Sequence, residues 1–348
     1  MSEKQETPTQ ILGKNATDSA PATSIDYAPN GGGLLPLFSR LLRPSLTVAL
    51  CLPLVWGLAL ARWHEAALNG WSIALLFVAN GAFCIGLNLA GQYADFRRAL
   101  YREQTGLDNM GNLFFSPQTG QQPPPQDVFQ LLQTQRVRPG TVRSMVLLCL
   151  WISLLSYTWL SQLIGWPLLF FGLLSVLLAV VSLLPVIRFS RWLWLLGDGA
   201  ILLAVGVLPL LSAYYAHLQM LNRWVLLASF SPAILSWLTF MSYNLLSWRR
   251  DWRLQRGTAL TFFGQERALD GAAVMSVAAF TAVLLLMALG ALPLSSLLVL
   301  GALPIFLRAF TNYSTQPNNH AGGLYVIDRA TQAAILAGLL WMLALWNG

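Results

Sequence analysis

Beyond residue 44 the chain is a succession of long apolar runs separated by polar breaks. A helix needs about 20 apolar residues to cross roughly 30 Å of hydrocarbon. Nine runs approach that length: 45–61, 71–92, 144–162, 166–187, 193–216, 224–247, 271–290, 292–310 and 330–346. Several begin at an aromatic residue, among them Trp71, Trp166 and Trp224, as interfacial anchors do. A strand edge facing lipid would leave backbone groups unsatisfied, so the pattern predicts an all-α integral membrane protein of nine transmembrane helices.

Composition agrees with the pattern. Of 348 residues, 56% are hydrophobic and only 10% are charged, which is too apolar for a soluble domain of this length. Residues 1–33 are the exception. They are rich in Ser, Thr, Pro, Gly and charge, hold no apolar stretch that could serve as a signal peptide, and are expected to be a disordered tail preceding a membrane domain over 34–348.

Arginine sets the orientation. With the N-terminus inside, every arginine except Arg62 and Arg223 falls on the cytoplasmic side, which predicts an N-in, C-out topology. The net charge of +7 belongs to this bias and calls for no nucleic acid. The expected location is the bacterial inner membrane, with the lipid bilayer as the constant partner. Connections 93–143 and 248–270 are long and cytoplasmic, and long ordered loops usually carry function. Within the first, "SPQTGQQPPPQ" reads as a hinge or lid.

Polar residues gather where two spans end. "NLAGQYAD" carries Asn88, Gln92 and Asp95 on one helical side, and "NLLSWRRD" carries Asn244, Ser247 and Asp251 at similar spacing. Such groups face a cavity or a partner helix, because lipid would leave them unsatisfied. Mutual hydrogen bonding between the helices is the plainer reading; a binding site is the sharper one. Cys51, Cys84 and Cys149 lie in apolar runs, and the three histidines have no ligand spacing.

At these motifs the sequence resembles the UbiA superfamily of membrane prenyltransferases, most closely the 1,4-dihydroxy-2-naphthoate polyprenyltransferases. In that branch the second span ends N-L-x-N-D-x-x-D; here Asn88 and Asp95 match, while Gly91 and Gln92 stand at the central Asn and Asp. The sixth span ends N-N-I-R-D-x-x-x-D, followed by a basic loop, a Thr and a Gly. "YNLLSWRRDWRLQRGTALTFFG" supplies Asn244, Asp251, Arg256, Thr258 and Gly264, with Ser247 at the other Asp position. The likeness extends over most of the chain from about residue 38.

The resemblance implies a UbiA-like bundle in which Mg²⁺ bridges Asp95 and Asp251 to the diphosphate of a polyprenyl donor. It implies catalytic roles for Asp95, Asp251, Asn88 and Asn244, and diphosphate contacts from Gln92, Arg97, Arg98, Ser247, Arg250, Arg256 and Thr258. An aromatic acceptor would meet Tyr93 and Asp198, the latter alternatively pairing with an arginine. Asp108 is a further candidate for the acidic loop. Two motif acids are replaced by Gln92 and Ser247, and arginines crowd the same ends, so two other readings stand beside an enzyme of quinone synthesis: a silent relative that binds a prenyl lipid, quinone or pigment, and a transporter built on repeated halves.

The topology is directly testable. Alkaline phosphatase fused after Gly348 should be active and a fluorescent protein fused there should be dark; the reverse pair of results would overturn the orientation.

Overall fold

The computed structural model describes residues 44–106, 128–190, 192–312 and 320–346. The expected tail over 1–33, Asp108 and the Pro-rich stretch 116–126 lie outside the described residues. Helices α1 (Pro44–Trp63) and α2 (Gly70–Gln104) are followed by a short α3 (Val128–Gln133), then α4 (Pro139–Leu163), α5 (Pro167–Leu183) and short α6 (Pro185–Arg188). Helix α7 (Trp194–Leu218) leads to α8 (Arg223–Asn244), short α9 (Trp248–Arg253) and α10 (Ala259–Phe263), and finally α11 (Gln265–Ala288), α12 (Leu294–Thr311) and α13 (His320–Trp346). No strand occurs among the described residues.

Eight of these helices are long and apolar enough to cross a membrane. Where the fourth span was expected over 166–187, the apolar helix α5 has 17 residues. Pro185 ends it: the residue before a proline is pushed out of the helical region, and Leu184 adopts φ −55°, ψ 131°. Helix α2 is longer than its apolar run, with 35 residues, so the Gln92 to Arg98 segment continues one unbroken helix. Asn69 starts that helix by accepting from the backbone of Trp71 and Ser72, and Asn222 starts α8 by accepting from Trp224.

The sixth expected span is shorter than the sequence suggests. Helix α8 stops at Asn244, and a turn over 245–247 separates it from α9, so Asn244 and Asp251 do not share one helix. Ser247 contributes to the break by sending its hydroxyl to the Asn244 carbonyl (3.3 Å) and to the Asp251 carboxylate (2.9 Å), which competes with regular backbone pairing. In α7 a π-helical turn over Leu203–Val207 precedes Pro209, whose missing N–H cannot bond four residues back.

The packing has the polarity of a protein solvated by lipid. On α4, Leu147, Trp151, Leu155 and Trp159 are exposed while Ser153, Ser156 and Tyr157 are buried. Some inward serines are satisfied within their own helices: Ser156 donates to Ile152 O at 2.8 Å and Ser175 to Phe171 O at 2.9 Å. Small residues let backbones approach where dispersion must hold helices together. A Cβ on Gly57 would lie 2.4 Å from the Leu210 carbonyl oxygen, and one on Gly206 2.4 Å from the Ala233 Cβ and 2.5 Å from its Cα. Trp56 and Trp341 stack at 4.2 Å between centroids and join α1 to α13.

Gly206→Ala should therefore destabilise the bundle by about 1–3 kcal/mol, because even one methyl must push α7 off α8. Thermal unfolding in detergent checks this; an unchanged melting temperature would show that the contact gives way without cost.

Candidate functional site

All six buried charged side chains among the described residues belong to one cluster: Asp95, Asp198 and Asp251 with Arg188, Arg250 and Arg256. Three acids and three bases balance. An isolated charge in such an interior would be prohibitively costly, so the cluster's geometry is fixed by mutual satisfaction.

Asp95 projects from α2 and is held by Arg188, from the end of α6. Arg188 Nε donates to Asp95 Oδ1 and Nη2 to Oδ2, both at 2.8 Å, and Nη2 also donates to the Gly91 carbonyl at 2.8 Å. Gly91 makes this possible, because a Cβ there would meet Arg188 Nη2 at 3.2 Å. Arg188 is fixed from behind as well: Gly257 N–H donates to its carbonyl at 2.8 Å, and a Cβ on Gly257 would lie 2.2 Å from the Ser190 carbonyl oxygen.

Arg256 joins the two motifs. Its Nη1 lies 3.2 Å from Asp251 Oδ2 and 3.4 Å from Asp95 Oδ2. Burial opposes its charge, yet Asp251 and Asp95 together raise its pKa above the ordinary guanidinium value. Burial also raises the Asp251 carboxyl, against the pull of Arg256 and Arg250. Both values thus rise, which favours charge on Arg256 and opposes it on Asp251: Arg256 is shared by several acids, whereas Asp251 Oδ1 has no hydrogen-bond partner and meets Arg250 Nε only at 3.9 Å. The Arg256 guanidinium stays charged and keeps the ion pair with Asp251. Arg250 also lies 4.4 Å above the Phe129 ring of α3. Asp198, on α7, faces the Ala259 backbone and the Trp237 side chain and interacts with the charges of Arg256 and Arg188.

A cavity of about 50 Å³ opens beside this cluster. Its polar end is lined by Asn88, Gln92, Asp95, Arg188, Asn244, Ser247, Arg250 and Arg256, and its apolar wall by Leu46, Leu87, Ile201 and Phe240. The volume holds on the order of a few waters, not an isoprenoid chain. Gln92 is engaged at both ends of its amide: Nε2 donates to Asn88 Oδ1 at 3.0 Å, and Oε1 accepts from Val128 N at 2.7 Å, which anchors α3.

The structure thus gathers Asn88, Gln92, Asp95, Asn244, Ser247, Arg250, Arg256 and Asp251 at one site. It leaves others apart. Arg97 is exposed, Arg98 lies over Phe189 at 5.2 Å, Tyr93 packs in the apolar cluster around Phe96 and Phe129, and Thr258 caps α10 through Thr261. Arg188 was read from sequence as an orientation residue only. Its partner lies 93 positions away, and the one local signal was Gly91, the small residue that admits it.

The donors fit Mg²⁺ poorly in this arrangement. Magnesium requires a near-octahedral oxygen shell at about 2.0–2.1 Å. Here both Asp95 oxygens and Asp251 Oδ2 face guanidinium nitrogens, and no group of three His, Cys, Asp or Glu able to hold a metal ion occurs among the described residues.

No protein-family profile and no curated protein matches this sequence. Solved structures do match its fold. A UbiA homologue from Archaeoglobus fulgidus bound to GPP and Mg²⁺ superposes with a TM-score of 0.55 at 15% identity, over 89% of this chain and 99% of that one. An apo UbiA homologue from Aeropyrum pernix K1 gives 0.55 at 13% identity, over 84% and 95%. A digeranylgeranylglyceryl phosphate synthase gives 0.55 at 13% identity, over 90% and 99%. The chain has the UbiA-like membrane fold.

Arg188→Gln should cost about 3–5 kcal/mol of stability, since it strands Asp95 without its bidentate partner. Adding Asp95→Asn should recover most of the loss. Denaturant titration of the single and double variants in detergent measures both; simple additivity would refute the coupling.

Proposed function

We propose that the protein binds a polyprenyl diphosphate at this mouth and transfers its chain to an aromatic acceptor of the dihydroxynaphthoate class, in a bacterial inner membrane. One observation carries the reading: a single cavity joins buried guanidinium groups to an apolar wall within a UbiA-like bundle. That pairing suits an amphiphile with an anionic head and a hydrocarbon tail. The motif resemblance supports the acceptor class, and the A. fulgidus homologue that holds GPP supports the donor class.

The chemistry asks little covalent help of the protein. The allylic C–O bond breaks, its electron pair leaves with the diphosphate, and Arg188, Arg250 and Arg256 stabilise the departing charge. A ring carbon of the acceptor then donates an electron pair to the allylic cation and forms the new C–C bond. The ring regains aromaticity by losing a proton to water, or carbon dioxide where a carboxylate occupied that carbon. Asn88 and Asn244 orient phosphate oxygens at the rim. Binding must widen the small cavity, and the shared arginines are the groups that turn toward the ligand. No step passes through the expected Mg²⁺ bridge, because the carboxylate oxygens that would form it face guanidinium nitrogens.

A second reading is a relative that binds a prenyl lipid without turning it over. It is favoured by the arginines seated on both remaining motif aspartates. Membranes containing the protein, supplied with prenyl diphosphates of several lengths and a panel of dihydroxylated aromatic acids, decide between the two. Transfer predicts a prenylated ring product at a rate on the order of 1 per second. Bound isoprenoid with no product from any acceptor would replace the enzyme by the binder.

A further inference from the structure

The positions at which the acidic motif is lost are occupied by residues that build something else. Gly91 clears the space that Arg188 fills, and its carbonyl accepts from that same guanidinium. Gln92 commits its amide to Asn88 and to the first backbone N–H of α3. Ser247 spends its hydroxyl on Asp251 Oδ2. Between the two surviving carboxylates stands Arg256 Nη1, within 3.4 Å of both. A positive group therefore already occupies the bridging position between the motifs, and a second one covers the outer face of Asp95.

We infer that this mouth recognises diphosphate without a bridging metal ion, with Arg188 and Arg256 as its cations. The aspartates hold the two guanidinium groups in place while the site is closed. An entering diphosphate takes over their N–H donors, since phosphate offers the same bidentate oxygen geometry as carboxylate. The closed cluster is charge-balanced, and Arg250, which also lines the cavity, is the third buried cation beside the entering anion. Gly91 is the specificity-determining position, because any side chain there crowds Arg188. The inference rests on the diphosphate reading above.

The experiment is calorimetric binding of inorganic pyrophosphate and of a prenyl diphosphate to the full-length protein in nanodiscs, with Mg²⁺ and with EDTA. Affinities within about threefold in the two buffers are expected. Weakening by EDTA of about tenfold or more would overturn the inference and leave the diphosphate reading intact. Absence of binding in both buffers would overturn the diphosphate reading, and the inference with it.

A variant separates the roles further, because the two accounts predict opposite signs. Asp95→Asn frees Arg188 and should leave affinity in EDTA unchanged or tighter; a loss of about tenfold or more would overturn the guanidinium account. Arg188→Gln alone strands Asp95 and is liable to misfold, so Arg188 is tested on that background. Asp95→Asn with Arg188→Gln should bind about tenfold more weakly than Asp95→Asn alone. Equal affinity would remove Arg188 from the site.

Discussion

Charge buried in an apolar bundle must be neutralised where it stands, and this constraint organises the functional end of the protein. The bidentate Arg188–Asp95 pair is its centre. It ties α2 to α6, and the Gly257 bond to the Arg188 carbonyl ties in the segment before α10. Arg256 then couples α2 to α9 through two carboxylates at once. Three regions distant in sequence are thereby fixed around a cavity that no single one of them could define.

The rest of the bundle solves the complementary problem. With lipid outside, apolar side chains gain little by turning inward, so packing depends on close backbone approach and on satisfied hydroxyls. Gly57 and Gly206 bring α1 and α8 onto α7, and inward serines such as Ser156 and Ser175 bond to carbonyls of their own helices. The π-helical turn in α7 lies next to the Gly206 contact, where a proline interrupts regular pairing. These devices leave the polar cluster at one end as the place where unlike helices are joined by charge.

The chain has the fold of solved UbiA homologues, and its mouth is built from balanced arginine–aspartate pairs. Gln92 and Ser247 bond to neighbouring groups of the site, and Gly91 leaves room for Arg188. A carboxylate-rich mouth gathers metal cations, whereas a balanced arginine–aspartate mouth can exchange one anion for another. Gln92 has a structural part in this mouth, because its amide anchors the short helix that carries Phe129 beneath Arg250.

The hydrophobic pattern alone determined the all-helical class, the approximate positions of the eight helices long enough to cross a membrane, and the two motifs that meet at the site. A membrane span is a local property, set by the length of an apolar run against the thickness of hydrocarbon. Asn88, Asp95, Asn244 and Asp251 were legible for the same reason: polar groups at the end of an apolar run announce themselves. What the pattern could not supply was pairing. The break after Asn244 depends on where Ser247 sends its hydroxyl, and the end of α5 on a proline hidden within an apolar stretch. Arg188 looked like any positive residue at a membrane edge until the fold brought it to Asp95, 93 positions away. Partner choice among buried charges is decided by distances of about 3 Å, and only the tertiary structure sets those.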